Sequence, residues 1–164
     1  MAFNLQDLKP GDCLLYSRIP FRKSKIGFLI GLFINIKTWS RFSHVEVYNG
    51  LGVSMASRDG IGVDFYRTRL DELVKVRRPG ADYNHAKAKA WFQGVRGQGY
   101  DLLGLLCFFW AGLRSDPSKM FCSEFARRLY REGGLELFNP NKDSDHISPE
   151  QLDQTNGLVD VFEK

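Results

Sequence analysis

Two short segments, far apart in the chain, carry the residue types of a cysteine nucleophile and its base. Residues 121–124, Phe-Cys-Ser-Glu, place Cys122 in the predicted first turn of an amphipathic helix, Ser123 to Arg131. The positive end of the helix dipole and its unpaired N–H groups favour a thiolate there, the form that attacks carbonyls. Residues 43–48, Ser-His-Val-Glu-Val-Tyr, alternate like a strand and direct His44 inward. Together, Cys122 and His44 predict a nucleophile with its proton carrier.

A third group could orient the imidazole through its other nitrogen. Strand alternation puts His44 and Glu46 on the same face of the sheet, with Val45 on the other. A hairpin turn of two or four residues pairs even with odd positions, so His44 is expected opposite Met55 or Ser57. The orienting group is then Glu46, Ser57 or a backbone carbonyl, and the sequence leaves all three open.

The remaining cysteines and histidines are expected to have no catalytic role. Cys13 and Cys107 lie in apolar runs and are expected to be inert core thiols. His85 and His146 are expected on the solvent side. Three cysteines without repeated spacing argue against a disulfide framework. No Cys-x-x-Cys or His-x-x-x-His spacing occurs, so a structural zinc site is not expected. A cysteine with a lowered pKa and a histidine base also need no metal or organic cofactor.

The composition is that of one globular domain spanning residues 1–164, with 43% hydrophobic and 26% charged residues. The net charge is +4, and residues 18–41 hold six basic and no acidic side chains, a face that could meet an anionic membrane or a cell-wall surface. The aromatics do not interleave with these basic residues, which disfavours nucleic acid as a partner. The first residues are unlike a secretory signal, and the apolar runs 26–36 and 102–113 are too short to span a bilayer, so a cytoplasmic location is the default expectation.

The positions of strands and helices predict an α+β fold, an antiparallel sheet with packed helices. Strands are expected at 13–16, 43–48, 53–57, 62–66, 73–77 and 158–162, with residues 49–52, Asn-Gly-Leu-Gly, as a hairpin turn. Helices are expected at 25–37, around 86–92 with Asp82 as a cap, at 102–113, and at 123–131 ending at Gly133. Ser148 and Pro149 predict a further helix start.

The order of these motifs resembles the circularly permuted NlpC-like hydrolases of the papain fold, including the YiiX-type group. It comprises Leu-Lys-Pro-Gly-Asp at 8–12, the His44 strand, Tyr100-Asp101-x-x-Gly, the Cys122 tetrapeptide and Ser148-Pro149-x-x-Leu, and it covers nearly the whole chain. The resemblance implies a cysteine peptidase or amidase with Cys122 as nucleophile and His44 as base, the histidine coming first, in the reverse of papain's order. It implies a role for Tyr100 with the oxyanion or the substrate, against the alternative that this tyrosine only packs at a helix start.

The family often carries a polar third residue on the strand after the histidine, where the expected register puts Met55. Methionine cannot orient an imidazole, so Glu46 or Ser57 substitutes, or the site is a dyad, or turnover is lost. Three functions follow: acyl transfer from peptide amides, with cell-wall peptides as the leading substrates; a lipid-directed thioesterase or acyltransferase; and a non-catalytic module that binds peptide or lipid.

Overall fold

Six antiparallel strands form the centre of the protein. A computed structural model describes residues 3–17, 41–101, 118–139 and 147–164. The strands are β1 (Cys13–Tyr16), β2 (His44–Gly50), β3 (Val53–Arg58), β4 (Gly62–Arg67), β5 (Leu73–Pro79) and β6 (Leu158–Glu163). They form a single sheet in the order β4-β3-β2-β1-β5-β6. With the helices described below, this confirms the predicted α+β class and antiparallel sheet.

Three helices accompany the sheet within the described residues: α1 (His85–Val95), α2 (Cys122–Glu132) and α3 (Pro149–Asp153). The start of α2 is one residue earlier than predicted, and its end at Gly133 is confirmed. Ser148 caps α3 as expected, accepting a hydrogen bond from Gln151 N at 3.2 Å, with Pro149 as the first helical residue. The predicted Asp82 cap of α1 is wrong, because Asn84 accepts from Lys87 N instead, at 3.0 Å.

The hairpin between β2 and β3 differs from the predicted register. Its turn residues are Leu51 and Gly52, and Gly50 pairs with Val53, an even position with an odd one, as expected. The register then shifts at Asn49, so Tyr48 pairs with Ser54 and Val47 with Met55. This bulge inserts one extra residue in β2 and thereby reverses the parity of all later pairs. The expectation that His44 faces Met55 or Ser57 is therefore wrong. If the register of the Val47–Met55 pair is continued to the start of β2, His44 is aligned with Arg58.

The main hydrophobic core lies between one face of the sheet and the helices. Val45, Val47 and Met55 contribute from β2 and β3, and Phe125 and Leu129 contribute from α2. A second cluster covers the other face and is formed by six buried residues: Leu8, Leu14, Tyr16, Tyr48, Leu73 and Val76. The strand alternation predicted for β2 is thus confirmed, with its odd-numbered valines toward α2 and Tyr48 on the opposite face.

Several predicted features fall outside the described ranges. These are the expected helices at 25–37 and 102–113, Cys107, His146, and the basic stretch apart from Arg41. None of the helices in the described part of the chain has the length and apolar character needed to cross a bilayer.

Gly62 fixes the approach of the segment that leads to Tyr100. A Cβ atom on Gly62 would lie 2.1 Å from the carbonyl oxygen of Gln98, which accepts a hydrogen bond from Val63 N at 2.8 Å. Gly60 has a similar left-handed backbone, with φ of 79° against 92°, but nothing lies within 4 Å of its Cβ position.

We expect Gly62→Ala to lower the free energy of unfolding by about 3 kcal/mol, because a left-handed backbone strain adds to a steric clash. Gly60→Ala is the matched control and should cost only about 1 kcal/mol, the strain alone. Denaturant titration of both variants measures the difference. Equal losses would show that the 62–98 contact imposes no constraint.

Candidate active site

Cys122 is the first residue of α2 and is 3% exposed. Phe121 precedes it as the N-cap residue and provides no side-chain hydrogen bond to the helix. Two backbone N–H groups, those of Val45 and Ser123, donate to the Cys122 sulfur. These donors supply the dipolar stabilisation of a thiolate that the sequence predicted from the helix start.

The segment that carries Cys122 is hydrogen-bonded to β3 on one side and to the residues before α3 on the other. Ser57 Oγ donates to the carbonyl of Met120 at 2.5 Å, and Ser123 Oγ donates to the carbonyl of Ile147 at 2.6 Å. Met120 N also donates to Gly99 O at 3.2 Å, which joins the start of α2 to the segment between α1 and Tyr100. The thiol is therefore held by fixed backbone rather than by a loose loop.

His44 is the first residue of β2, at the place where β2 separates from β3. The ladder between β1 and β2 extends to the pair Tyr16–His44. The ladder between β2 and β3 ends earlier, at the pair Val47–Met55. This separation leaves the N–H of Val45 free of the β3 ladder, and it points instead to the Cys122 sulfur. The N-terminus of α2 therefore meets β2 where His44 begins the strand.

The Cys122 thiol and the His44 imidazole are hydrogen-bonded to each other. Burial raises the pKa of Cys122, but the hydrogen bond and the positive charge of His44, with the two backbone donors, outweigh burial and lower it. Burial lowers the pKa of His44, but contacts with Cys122 and then Glu46 outweigh it and raise it. Opposite shifts of this kind favour a thiolate–imidazolium pair.

Glu46 bonds to the far side of the imidazole. Its Oε1 lies 3.1 Å from His44 Nε2, which leaves Nδ1 as the nitrogen for the sulfur. Glu46 is fully buried, and burial raises its pKa, but His44, Arg58 and Arg69 reverse that effect and lower the pKa to about 2. Of the three alternatives for the orienting group, the structure brings Glu46 to His44.

The other candidates lie elsewhere. The hydroxyl of Ser57 donates to Met120, and Met55 packs in the core beside Val47. Cys13 is fully buried, as expected, and burial raises its pKa to about 12. His85 is only partly exposed, with its Nε2 3.3 Å from Asn49 Oδ1, so the solvent-side expectation holds in part.

Tyr100 lies close enough to Cys122 for the charges to interact. Burial raises the pKa of Tyr100 well above its ordinary value, and the negative charges of Cys122, Asp59 and Asp101 act in the same direction. The phenol therefore keeps its proton at neutral pH and can donate a hydrogen bond.

Sequence reasoning missed Arg58 and Arg69. The Nε of Arg58 lies 3.0 Å from Glu46 Oε1, the Nη2 of Arg58 contacts the same atom, and the Nη2 of Arg69 lies 3.3 Å from it. An inward-facing glutamate does signal that a cation must be near. It does not indicate which of the 23 lysines and arginines supplies it.

Known protein families give no guide to this site. No protein-family model matches the sequence, and no curated protein is significantly similar to it. Within the described ranges, no group of three or more His, Cys, Asp or Glu side chains is arranged to hold a metal ion. Because one fold class supports many chemistries, function is inferred from the residues at the site.

Iodoacetamide should alkylate Cys122 at neutral pH about 100-fold faster than Cys13, because the pKa of the Cys122 thiol is lowered whereas that of Cys13 is raised. Mass spectrometry of tryptic peptides resolves the two sites. His44→Gln should slow labelling of Cys122 about 10-fold. Cys122→Ala should abolish the fast phase in the labelling of the protein. Equal labelling rates at both cysteines in the folded protein would contradict the thiolate.

Glu46 should make stability depend on acid pH. Its pKa is about 2 in the folded protein against an ordinary 4.5, so its contribution is complete above pH 4.5 and is lost as the pH falls toward 2. The free energy of unfolding should therefore fall more steeply over this window in the wild type than in Glu46→Gln. Denaturant titrations at matched pH values measure both slopes. Parallel slopes would show that Glu46 is not a stabilised carboxylate.

Proposed function

We propose that this protein is a cysteine hydrolase that cleaves amide bonds by acyl transfer, on a circularly permuted papain-like fold of the NlpC type. One observation carries the proposal: the chain of contacts from Cys122 through His44 to Glu46. A nucleophile bonded to a base, and the base to an orienting acceptor, is the arrangement that activates a thiol for covalent catalysis.

The placement of the two reactive residues also supports this fold. The histidine starts a central strand, and the cysteine starts a helix packed on that strand and its neighbour. The strand precedes the helix in the chain, which is the order that the resemblance to permuted NlpC-like hydrolases implies. An antiparallel sheet with the cysteine helix on one face is compatible with this proposal.

Acylation begins with attack by the Cys122 thiolate on the substrate carbonyl carbon. As the C–S bond forms, the carbonyl electron pair moves to oxygen, and the backbone N–H at the start of α2 stabilises that oxyanion. The tetrahedral intermediate then collapses and the C–N bond breaks. The leaving amine takes the proton of the His44 imidazolium, and a thioester remains on Cys122.

Deacylation reverses the roles of the imidazole. Neutral His44 removes a proton from water, and the hydroxide adds to the thioester carbonyl. Collapse of the second intermediate breaks the C–S bond and restores the thiolate and the imidazolium. The balance is one amide and one water converted to a carboxylic acid and an amine. Glu46 holds the imidazole in one orientation through both halves of the cycle.

Tyr100 is the second candidate donor to the oxyanion. Its phenol retains a proton because burial and the Cys122 charge both raise its pKa. A neutral hydroxyl near a thiolate can stabilise negative charge that develops on a nearby carbonyl oxygen. Removing it should slow acylation without abolishing it.

Cell-wall peptides are the leading substrate class, as the family resemblance implies. A lipid ester or acyl lipid is the second, suggested by apolar runs and a basic stretch that lie mostly outside the described residues. The binding-module alternative has its best support in Met55 at the orienting position. That argument fails because Met55 pairs with Val47 in the core and Glu46 contacts the imidazole.

A substrate panel tests the proposal. Purified protein should release amine from cell-wall peptides, and kcat/KM should fall about 1,000-fold or more in Cys122→Ala and His44→Ala. Tyr100→Phe should lower kcat about 10- to 100-fold. Cys13→Ala is the matched control, since that thiol is buried in the core, and it should retain turnover.

The other outcomes are equally specific. Turnover of acyl esters with none of peptides would replace the peptidase with the lipid-directed enzyme. Binding of peptide or lipid without turnover, in a protein whose Cys122 is alkylated no faster than Cys13, would overturn catalysis and favour a binding module.

A further inference from the structure

One oxygen of Glu46 holds four contacts. Oε1 faces His44 Nε2 at 3.1 Å, Arg58 Nε at 3.0 Å and Arg69 Nη2 at 3.3 Å, and it also contacts Arg58 Nη2. Oε2 accepts from the Tyr16 hydroxyl at 3.4 Å. A carboxylate that serves only to orient an imidazole does not require two guanidinium groups on the same oxygen.

Both arginines are held in place by aromatic rings. The Arg58 guanidinium lies over the ring of Tyr66 at 4.1 Å, and that tyrosine donates to Gly62 O at 2.5 Å. The Arg69 guanidinium lies over Tyr16 at 4.8 Å, and its Nη1 bonds to Glu72 Oε2 at 2.5 Å. Stacked and hydrogen-bonded arginines lose little further entropy on holding Glu46. The network is therefore fixed and not a transient surface pairing.

The ionisable groups around His44 and its partner Glu46 come from several elements. Tyr16 lies on β1, Arg58 on β3, Arg69 follows β4, and Cys122 starts α2. Glu46 contributes one negative charge and the two arginines contribute two positive charges. Cys122 adds one negative charge as the thiolate. Without the arginines, a fully buried glutamate would hold the imidazolium strongly.

We propose, on the basis of the hydrolase mechanism above, that Arg58 and Arg69 are positioning residues: they fix Glu46 as the acceptor for His44 while offsetting its negative charge, so that the imidazolium gives up its proton to the leaving group. The glutamate thus acts on the ring mainly as an oriented hydrogen-bond acceptor. A general acid works best when its acidity is matched to the working pH, and an imidazolium bound by an uncompensated carboxylate would be a weaker acid.

The test is the pKa of His44, measured by NMR of the imidazole ring in the Cys122→Ala background, where no thiolate contributes. Arg58→Gln should raise the pKa of His44 by about one unit, because a nearby positive charge is removed. Arg58→Lys keeps the charge without the bidentate contact and should restore most of the parent value. A purely structural role for Arg58 would not be rescued in this way.

Two further variants complete the experiment. Arg67→Gln removes an exposed arginine of β4 for which no contact with Glu46 is found, and it should leave the pKa of His44 unchanged. Arg69→Gln should raise that pKa in the same direction as Arg58→Gln, and it serves as the test if Arg58→Gln does not fold. A His44 pKa that stays constant or falls in the folded Arg58 and Arg69 variants overturns the proposal.

Failure of this proposal is distinguishable from failure of the proposed function. In the wild-type background, Arg58→Gln should move the alkaline limb of the pH profile of kcat/KM to higher pH, by the same number of pH units as the His44 pKa. If the wild type turns over no substrate but the NMR shift occurs, the electrostatic role stands and the hydrolase is wrong. If turnover is normal and the His44 pKa does not move, the hydrolase stands and the role of the arginines is wrong.

Discussion

A carboxylate with no exposed surface is the strictest constraint in this structure. Burying an isolated Glu46 would cost several kcal/mol, so the fold must bring donors to it from several directions. It does so from the sheet and from the connection after β4, through Tyr16, His44, Arg58 and Arg69. The proposed thiolate–imidazolium pair is the outer end of this network, because His44 bonds to Glu46 on one side and to Cys122 on the other.

The second requirement is a gap in the sheet for Cys122, the proposed nucleophile. β2 continues beside β1 to His44 after its pairing with β3 has ended at Val47. The backbone N–H of Val45, which a third strand would otherwise occupy, becomes a donor to sulfur. The start of α2 can thus approach β2 while the backbone polar groups of the strand stay hydrogen-bonded. The sulfur accepts from an N–H group that strand pairing leaves unused.

The sequence predicts the elements of this fold better than their registration. Turn residues, strand alternation and the Ser148-Pro149 cap act locally, and each was placed within a residue or two. The bulge at Asn49 was missed because two glycines, Gly50 and Gly52, compete for the hairpin turn and the local pattern does not choose between them. Glu46 stayed one of three alternatives for a different reason, since its arginine partners lie 12 and 23 residues away. Choosing them requires the strand order, which no local pattern contains.

The bulge also limits how the hairpin can vary among descendants of this chain. β1 determines which way the side chains of β2 point, so the extra residue at Asn49 sets the orientation of β3 relative to them. Losing that residue would send Arg58 to the face with the helices, away from the carboxylate it neutralises. Substitution of Leu51, the exposed residue at the tip, is mild by comparison. Mutational drift in this region should therefore preserve the number of residues more strictly than their identity. A single insertion or deletion in the hairpin would remove Arg58 from Glu46 and leave that carboxylate with less compensating charge.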